Sequence, residues 1–382
     1  MAKTITVSAL LSLVLVLLFV HHTSATATNR TDLCPAVAEC IEKLDDGQQC
    51  DVLPVPPASL IPQISPGPFR LTLLRSGVWS YEDGAYVSLI LYRKGRLALL
   101  DFPDSPNSNT PTGSMTRLTD AAMQVLNGSI PHRIDMVYSH DHYDHIGAAT
   151  RFFRFARSTF PRAKILIWGT TETKRAIRES ESKRAVVPNI IVYKRGRTLS
   201  LGGGLRVRMT IAGGHSGKDL ILYIPPYRGQ KGIVMHVDVV YPGWVPFTSL
   251  GITEDVNAYL GVHEKILRLN FDIFIAGHVL IGTEEDVRRN QAYTRNLLEA
   301  GAVGARTASL EDFAKLGFGR VGDPNAREFG NLWFAFIRVV RKAQVDICSR
   351  IMIEKWGCRL AGLDVMIESH CFTAVTHTLL SA

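Results

Sequence analysis

Three histidines and two aspartates occupy six consecutive positions near the middle of the chain, residues 140–145. The preceding residues 135–138 predict a buried strand, and the residues from Gly147 onward predict the start of a helix. The cluster is therefore expected on a strand-to-helix turn, a common position for ligands. Imidazole and carboxylate groups bind borderline divalent metals such as zinc, whereas the alternative, a solvated polar loop, does not require this order of residue types.

The four residues His140, His142, Asp144 and His145 resemble the signature of the metallo-β-lactamase-fold hydrolases. A turn of this kind can direct the first two side chains to one point and the last two to a neighbouring point. It would then hold two divalent ions side by side. The resemblance covers roughly residues 70–300.

The resemblance implies three further ligands downstream, each at the end of a strand. The candidates are His215, Asp238 and His278, each of which follows or ends a predicted strand. It also implies how the seven residues divide: the first metal takes His140, His142 and His215, the second takes Asp144, His145 and His278, and Asp238 bridges the two. A water is expected to bridge the two ions as well.

The chemistry implied by the resemblance is metal-assisted hydrolysis. Two divalent ions, with zinc favoured by the ligand set, would generate a hydroxide that attacks an ester-like or amide-like carbonyl. Asp144 would also orient this hydroxide, which makes it the candidate catalytic residue. Iron or manganese could replace zinc at a site of histidines and aspartates.

An aspartate at position 238 resembles the glyoxalase II, lactonase and phosphodiesterase branches, because the zinc β-lactamases usually carry cysteine or serine there. Three functions follow. The first is a secreted dinuclear hydrolase of a lactone, thioester or other small ester or amide. The second is a phosphodiesterase or nuclease of the same fold, and the third is a non-catalytic metal-binding secreted protein. Metal-competent residues at all seven positions argue against the third function.

The alternation of strands and helices predicts an α/β protein, an αββα four-layer sandwich with two facing sheets and helices outside. The predicted organisation is a signal peptide (1–27), a Cys/Pro-rich extension (28–68), a catalytic domain (69–300) and a mostly helical C-terminal extension (301–382). Residues 77–84 are predicted to link the first two strands. There, Trp79 and Tyr81 either form a lid over the metal site or pack on the sheet.

The first 27 residues have the layout of a secretory signal, with Lys3, an apolar run and a small-residue cleavage site near Ala27. An uncleaved anchor is the alternative, and no later stretch is apolar for long enough to span a membrane. Secretion favours disulfides among the six cysteines, and we expect these to tie down the terminal extensions. The cysteines form two groups: Cys34, Cys40 and Cys50, and then Cys348, Cys358 and Cys371.

The formal net charge is +8, and the basic residues are spread along the chain in short clusters. This pattern is typical of a solvated surface, and attraction to an anionic substrate is the alternative. No aromatic-interleaved basic run predicts a nucleic-acid platform. The expected partner is therefore a small ester-like molecule, and the sequence leaves the oligomeric state open.

Overall fold

A computed structural model of the chain describes residues 69–84, 86–104, 114–309, 311–312 and 332–381. The signal peptide, the proline-rich segment and the first cysteine group that the sequence predicts lie outside these ranges. Two β-sheets form the centre of the described part, one with seven strands and one with six.

The first sheet pairs its strands in chain order. The first four strands are antiparallel, and the fourth to seventh run parallel. Because neighbouring parallel strands end at the same edge, the residues that follow the fourth and fifth strands come together there. The strands are β1 (Arg70–Arg75), β2 (Val78–Asp83), β3 (Tyr86–Arg93), β4 (Arg96–Leu100), β5 (Arg133–Val137), β6 (Lys164–Gly169) and β7 (Ile190–Ile191).

The second sheet contains β8 (Arg197–Gly202), β9 (Leu205–Ile211), β10 (Leu220–Ile224), β11 (Gly232–Met235), β12 (Phe271–Ile275) and β13 (Ile281–Gly282). Its order is β13-β12-β11-β10-β9-β8. Strands β11 and β12 are parallel, whereas the other neighbours are antiparallel. The residues that follow β11 and β12 therefore also emerge side by side.

Helices cover the outer faces of both sheets. They are α1 (Ser114–Leu126), α2 (Tyr143–Ile146), α3 (Ala149–Thr159), α4 (Thr171–Glu179), α5 (Val256–Leu267), α6 (Glu284–Thr307), α7 (Leu332–Trp356) and α8 (Leu363–Leu380). Local capping sets several of their starts. The Asp255 side chain accepts a hydrogen bond from the Ala258 backbone N–H at the start of α5, and Thr283 and Asp286 form a capping box on α6.

Three apolar clusters show the layering. One lies between the two sheets, where Leu100 and Val137 of the first sheet meet Leu222 and Met235 of the second. A second cluster lies between the first sheet and α1 and α3. The third lies between the second sheet and α5–α8. Successive strand residues face opposite clusters, as the two-residue period of a strand requires. The predicted αββα four-layer sandwich is confirmed.

The C-terminal helices α7 and α8 belong to the third cluster rather than to a separate core. Cys348, Met352 and Ile367 are buried in it together with Tyr293 of α6. A disulfide joins Cys348 of α7 to Cys371 of α8, so one of the predicted bridges is confirmed within this extension. None of the helices in the described ranges combines the length and apolarity needed to cross a bilayer.

The prediction that residues 77–84 form a linker is wrong, because Val78–Asp83 is strand β2 of the first sheet. Tyr81 is fully buried, and Trp79 packs against the same cluster beneath the helices. Of the two alternatives for these aromatic residues, packing on the sheet is correct. They do not form a lid.

Candidate metal centre

The histidine-rich turn lies where the sequence places it, directly after the central parallel strand β5. His140 and His142 precede the short helix α2, and Asp144 and His145 lie within it. The turn is tied to the end of β4, since the Phe102 backbone N–H donates to the His145 carbonyl at 2.6 Å. The ligand turn is therefore held by the neighbouring strand as well as by its own helix.

The other three candidates come from the second sheet. His215 lies in the loop between β9 and β10, Asp238 follows β11, and His278 follows β12. Because β11 and β12 are parallel neighbours, Asp238 and His278 emerge next to each other. Asp238 has a left-handed backbone conformation (φ 64°), which turns its side chain out of the strand direction.

The structure brings all seven predicted residues together, in two groups of potential ligand atoms. Within each group these atoms lie no more than 4.8 Å apart. The first group consists of His140, His142, His215 and Asp238, and the second of Asp144, His145 and His278.

Asp238 stands between the two groups. Its Oδ2 lies 3.4 Å from His140 Nε2 and 3.7 Å from His215 Nε2, both of the first group. The same oxygen lies 3.2 Å from His145 Nε2, and Oδ1 lies 3.1 Å from His278 Nε2, both of the second group. The carboxylate thus faces both groups, as a bridging ligand must.

The separations between donor atoms fit divalent ions. His215 Nε2 lies 2.7 Å from His142 Nδ1, and His145 Nε2 lies 3.0 Å from His278 Nε2. Neutral imidazole nitrogens that face each other so closely need a proton or a cation between their lone pairs. Around a tetrahedral zinc with bonds of about 2.0 Å, neighbouring ligand atoms lie about 3.3 Å apart. In addition, His140 Nε2 and Asp238 Oδ1 are buried without a hydrogen-bond partner.

The protonation of the first group also suits a metal. Burial lowers the pKa of His140 and of His215 to about 4. Both rings are therefore neutral near pH 7, which is the form that binds metals.

In the second group, charge outweighs burial. Burial alone would lower the pKa of His145 and His278, but the carboxylate of Asp238 raises both. Burial would raise the pKa of Asp238 and of Asp144, yet the facing His145 and His278 hold both carboxyl pKa values well below the usual range. Metal uptake at this group would consequently release protons.

Two residues outside the predicted set orient the ligand turn. Asp101 follows β4, accepts a hydrogen bond from the Ser139 backbone N–H at 2.7 Å, and places its other oxygen 3.9 Å from His145 Nδ1. The Ser139 hydroxyl lies 3.0 Å from His140 Nδ1. Such contacts fix the ring orientation of metal-binding histidines. The signal for Asp101 was its position at the end of a strand parallel to β5.

Aromatic side chains pack against the histidines of the second group. The Tyr86 ring lies 4.9 Å from the His278 ring and 5.8 Å from the His145 ring, measured between centroids. Burial raises the pKa of Tyr86, and the nearby carboxylates of Asp144 and Asp238 raise it further, so its phenol stays protonated near them. On this hairpin Tyr86, and not the Tyr81 that the sequence indicated, lies beside the site.

Tyr241 stacks on His278 at 6.2 Å, and Phe247 packs edge-on against both rings, at 4.8 Å from Tyr241 and 5.2 Å from His278. Two other tyrosines with conceivable catalytic roles have structural partners. The Tyr223 hydroxyl donates to the Asn270 carbonyl, and the Tyr143 hydroxyl donates to Asp104.

A left-handed turn follows Phe247 and lies against the ligands. Ser249, Leu250 and Gly251 have φ values of 52°, 56° and 67°, and Ile252 has a φ of 59°. This conformation costs about 1–2 kcal/mol for each residue that carries a Cβ. A Cβ added at Gly251 would lie 3.0 Å from the Asp238 carbonyl and 3.6 Å from His215 Nδ1. The turn therefore lies directly against His215 and Asp238 of the first group.

The C-terminal helix α8 holds this turn. The Ser249 backbone N–H donates to the Ser369 hydroxyl at 3.0 Å. His370 Nε2 donates to the Phe247 carbonyl at 2.9 Å, while the Tyr293 hydroxyl donates to His370 Nδ1 at 2.6 Å. A carbonyl can only accept, so these two bonds fix the tautomer of a neutral ring. The disulfide at Cys371 is directly adjacent.

The C-terminal extension also contacts the loop that leads from Asp238 to this turn, at residues 243–245. The Val245 backbone N–H donates to the Ala361 carbonyl, and the Ala361 N–H donates to the Gly243 carbonyl, both at 3.0 Å. Residues 361–370 of the C-terminal extension thus contact residues 243–249, which follow Asp238 in the chain. This support was not foreseen from the sequence.

Two further histidines, His236 and His263, lie outside both groups of potential ligand atoms. His236 and His263 are fully buried, and burial lowers the pKa of each to about 4. His236 Nδ1 pairs with the Leu220 carbonyl, and His263 Nδ1 with the Leu260 carbonyl. Both serve as packed, neutral rings behind the second sheet.

No family model and no curated protein match the chain. Solved structures do. A metallo-β-lactamase from Pontibacter korlensis is 16% identical, with 60% of this chain and 99% of that chain covered and a TM-score of 0.44. A metallo-β-lactamase from Pseudomonas aeruginosa, in a mono-zinc form, is also 16% identical; 60% of this chain and 96% of that chain are covered, and the TM-score is 0.44. A metallo-β-lactamase from Erythrobacter litoralis is 16% identical, with 60% of this chain and 97% of that chain covered and a TM-score of 0.43.

Proposed function

We propose that the chain is a dinuclear, metal-dependent hydrolase of a lactone, thioester or other small ester or amide. The observation that carries this proposal is the position of Asp238, whose carboxylate faces four histidines divided between two ligand groups. A single structural metal would need only one closed group of four ligands. Two groups that share a carboxylate are typical of sites that perform chemistry.

The proposed ligand assignment follows the two groups. His140, His142 and His215 would hold the first ion, Asp144, His145 and His278 would hold the second, and Asp238 would be shared between them. Zinc suits this set best. When bound, the two ions supply a hydroxide at neutral pH and polarise the substrate carbonyl.

Asp144 is the proposed catalytic residue among the ligands. Its side chain is 38% exposed, whereas that of Asp238 is 7% exposed. Its Oδ2 faces His145 and His278 at 3.3 and 3.4 Å, which leaves the other oxygen free to orient the attacking water. The low pKa of Asp144 keeps it an acceptor during the attack.

Tyr86 and Tyr241 supply the apolar and hydrogen-bonding surroundings of the second group. Both hydroxyls stay protonated, because burial raises the pKa of each phenol. A protonated phenol at the edge of the site can donate to the oxygen that becomes negative as the carbonyl is attacked. These rings also limit the entry of bulk water.

We further propose that the chain is secreted after removal of residues 1–27. The predicted signal supports this, and so does the disulfide between Cys348 and Cys371, because such bonds persist in oxidising compartments. The proposed partner is a small molecule.

The test is metal content combined with a substrate panel. Purified mature protein is expected to contain about two metal ions per chain and to hydrolyse at least one carbonyl compound among a γ-lactone, an acyl thioester and an aryl ester. Chelation should abolish the activity, and zinc should restore it. An exposed-histidine variant, His132→Gln, serves as the matched control and is expected to keep both properties.

Activity on bis(4-nitrophenyl) phosphate alone would instead support the phosphodiesterase alternative. Two bound metals with no turnover of any panel member would support the non-catalytic alternative. A zinc-replete protein that binds no metal would overturn the assignment of the site.

A further inference from the structure

A pocket of about 230 Å³ lies beside the ligand turn. This volume has room for about eight water-sized groups, since a water occupies about 30 Å³ in the liquid. Asp141 and Tyr143, which flank the ligand His142 in the sequence, form one side of it. The remaining lining comes from the residues after the turn and from α4 with the loop that follows: Ile146, Gly147, Ala176, Ile177, Ser180, Ser182, Arg184 and Ala185.

The lining has an apolar floor and a polar rim. Ile146 and Ile177 are buried beneath the pocket, whereas Ser180, Ser182 and Arg184 are exposed at its edge. A ligand that fits both parts has a short hydrocarbon chain with a polar end.

The guanidinium of Arg184 is held in a defined position at this rim. Its central carbon lies 4.2 Å from the centre of the Tyr143 ring. The Arg184 carbonyl accepts a hydrogen bond from the Thr150 N–H at 2.9 Å. The Tyr143 ring in turn lies so close to Gly147 that an added Cβ there would be 2.8 Å from a ring carbon. The ring on which the guanidinium rests is therefore itself fixed.

Charge around the pocket favours an anion. The two oxygens of Asp104 are taken by the Tyr143 hydroxyl and by Arg151, and Arg184 stays 3.8 Å away, too far for a hydrogen bond. Asp141 is paired with Lys218 at 3.2 Å. Asp104 thus faces two guanidinium groups, those of Arg151 and Arg184, and balances only one positive charge; the more distant Arg184 makes an ion pair with it but no hydrogen bond.

We propose that this pocket binds the non-reacting arm of the substrate, and that this arm ends in a carboxylate bound by Arg184. The inference rests on the proposed hydrolase function and narrows the substrate class to monoesters and monothioesters of short-chain dicarboxylic acids, or lactones of short-chain hydroxy dicarboxylic acids. A planar guanidinium on a fixed ring matches a carboxylate in two parallel hydrogen bonds. The pocket next to His142 leaves the ester group of such a molecule near the ligand turn.

The experiment compares two thioesters of equal length, the phenyl monothioester of glutaric acid and the phenyl thioester of pentanoic acid. The wild-type protein is expected to prefer the first by at least about 10-fold in kcat/KM, which corresponds to one well-placed charged hydrogen-bond pair. Arg184→Gln should remove this preference by raising KM for the glutaric thioester toward the value for the pentanoic thioester. Lys183→Gln, a neighbouring exposed cation outside the pocket, is the matched control and should behave like the wild type.

Calorimetric binding of glutarate separates this inference from the proposed function. Arg184-dependent glutarate binding without hydrolysis of either thioester or of any carbonyl compound in the substrate panel would support the pocket and refute the hydrolase function. Hydrolysis with equal preference in wild type and Arg184→Gln, or glutarate binding that is equal in both, would overturn the pocket assignment. Ala176→Phe, which fills the pocket from α4, should also abolish glutarate binding while leaving zinc content at the wild-type level.

Discussion

On one side of the metal centre, four ligands come from six consecutive residues after β5, here called the turn side (residues 140–145). On the other, three ligands come from three separate strand ends, here called the strand-end side (His215, Asp238 and His278). The turn side is positioned by its own short helix and by the adjacent strand. The strand-end side depends on a left-handed turn that a distant helix holds in place. One side of the site is thus local in sequence, and the other relies on contacts made far along the chain.

The largest expected difference concerns the shared ligand. Asp238→Ala should lose both ions, because the carboxylate faces both groups, and should weaken zinc affinity by at least about 100-fold. His142→Ala, on the turn side, should lose the first ion and keep the second. Metal analysis after dialysis measures both variants. Equal metal content in the two would show that Asp238 does not bridge.

The next effect tests the dependence on the C-terminal helices. Replacing both Cys348 and Cys371 by serine opens a bridge with a sequence separation of 23, which should lower the free energy of unfolding by about 3 kcal/mol. We also expect zinc to bind about 10-fold more weakly to the variant that is still folded, because α8 then holds the Phe247–Ile252 turn less firmly. Urea unfolding and zinc titration give the two numbers. Unchanged zinc affinity in the folded variant would separate the helices from the site.

Acid should also weaken the packing around the strand-end side, where three histidines outside the predicted ligand set are buried. Burial lowers the pKa of His236, His263 and His370 to about 4, from an ordinary value of 6.5. In this window the unfolded chain binds more protons, so stability is fully present above pH 6.5 and is lost as the pH falls toward 4.

The His370→Gln variant isolates one of these rings, since an amide can keep both hydrogen bonds without titrating. Its unfolding free energy should fall less steeply between pH 6.5 and 4, by about 1.4 kcal/mol per pH unit for one proton. Urea midpoints at several pH values measure the slope. Parallel curves for variant and wild type would contradict the buried, neutral state of His370.

The smallest effect compares two glycines with positive φ. Gly128, with a φ of 79°, has no atom within 4 Å of an added Cβ, whereas at Gly251, with a φ of 67°, the Cβ would meet the Asp238 carbonyl and the Tyr241 hydroxyl at 3.0 Å. Alanine at either position should cost about 1–2 kcal/mol of unfolding free energy. Only Gly251→Ala should also weaken zinc binding. An equal effect on zinc would mean that the turn does not support the ligands.

The contrast between the two sides also explains what sequence could predict. Ligands at 140, 142, 144 and 145 share one turn, so their types and spacing alone indicated a metal site. The ligands at 215, 238 and 278 are isolated, and the resemblance to a known family was needed to select them. His236 is only two residues from Asp238 and is equally able to bind a metal, so only the structure, in which its Nδ1 pairs with the Leu220 carbonyl, separates it from the ligands.

Other features could not be predicted from the sequence because they depend on tertiary contacts. Strand β2 reads as a linker because Glu82 and Asp83 are acidic, yet Glu82 pairs with Arg70, and Asp83 pairs with Arg117 at 3.0 Å. The left-handed turn was equally hidden, because Leu250 and Ile252 disfavour that conformation. Burial of Leu250 in the third apolar cluster offsets part of the free-energy cost of this conformation. No local sequence pattern indicates such a tertiary contact.

The contact between His370 and the Phe247 carbonyl also has a consequence for the order of events during synthesis. All seven ligands leave the ribosome before the helix that carries Ser369 and His370. A nascent chain can therefore possess its complete ligand set while the turn beside Asp238 is still unclamped. With the proposed site, tight retention of the ions would be a late step of maturation that follows docking of α8 and closure of its disulfide.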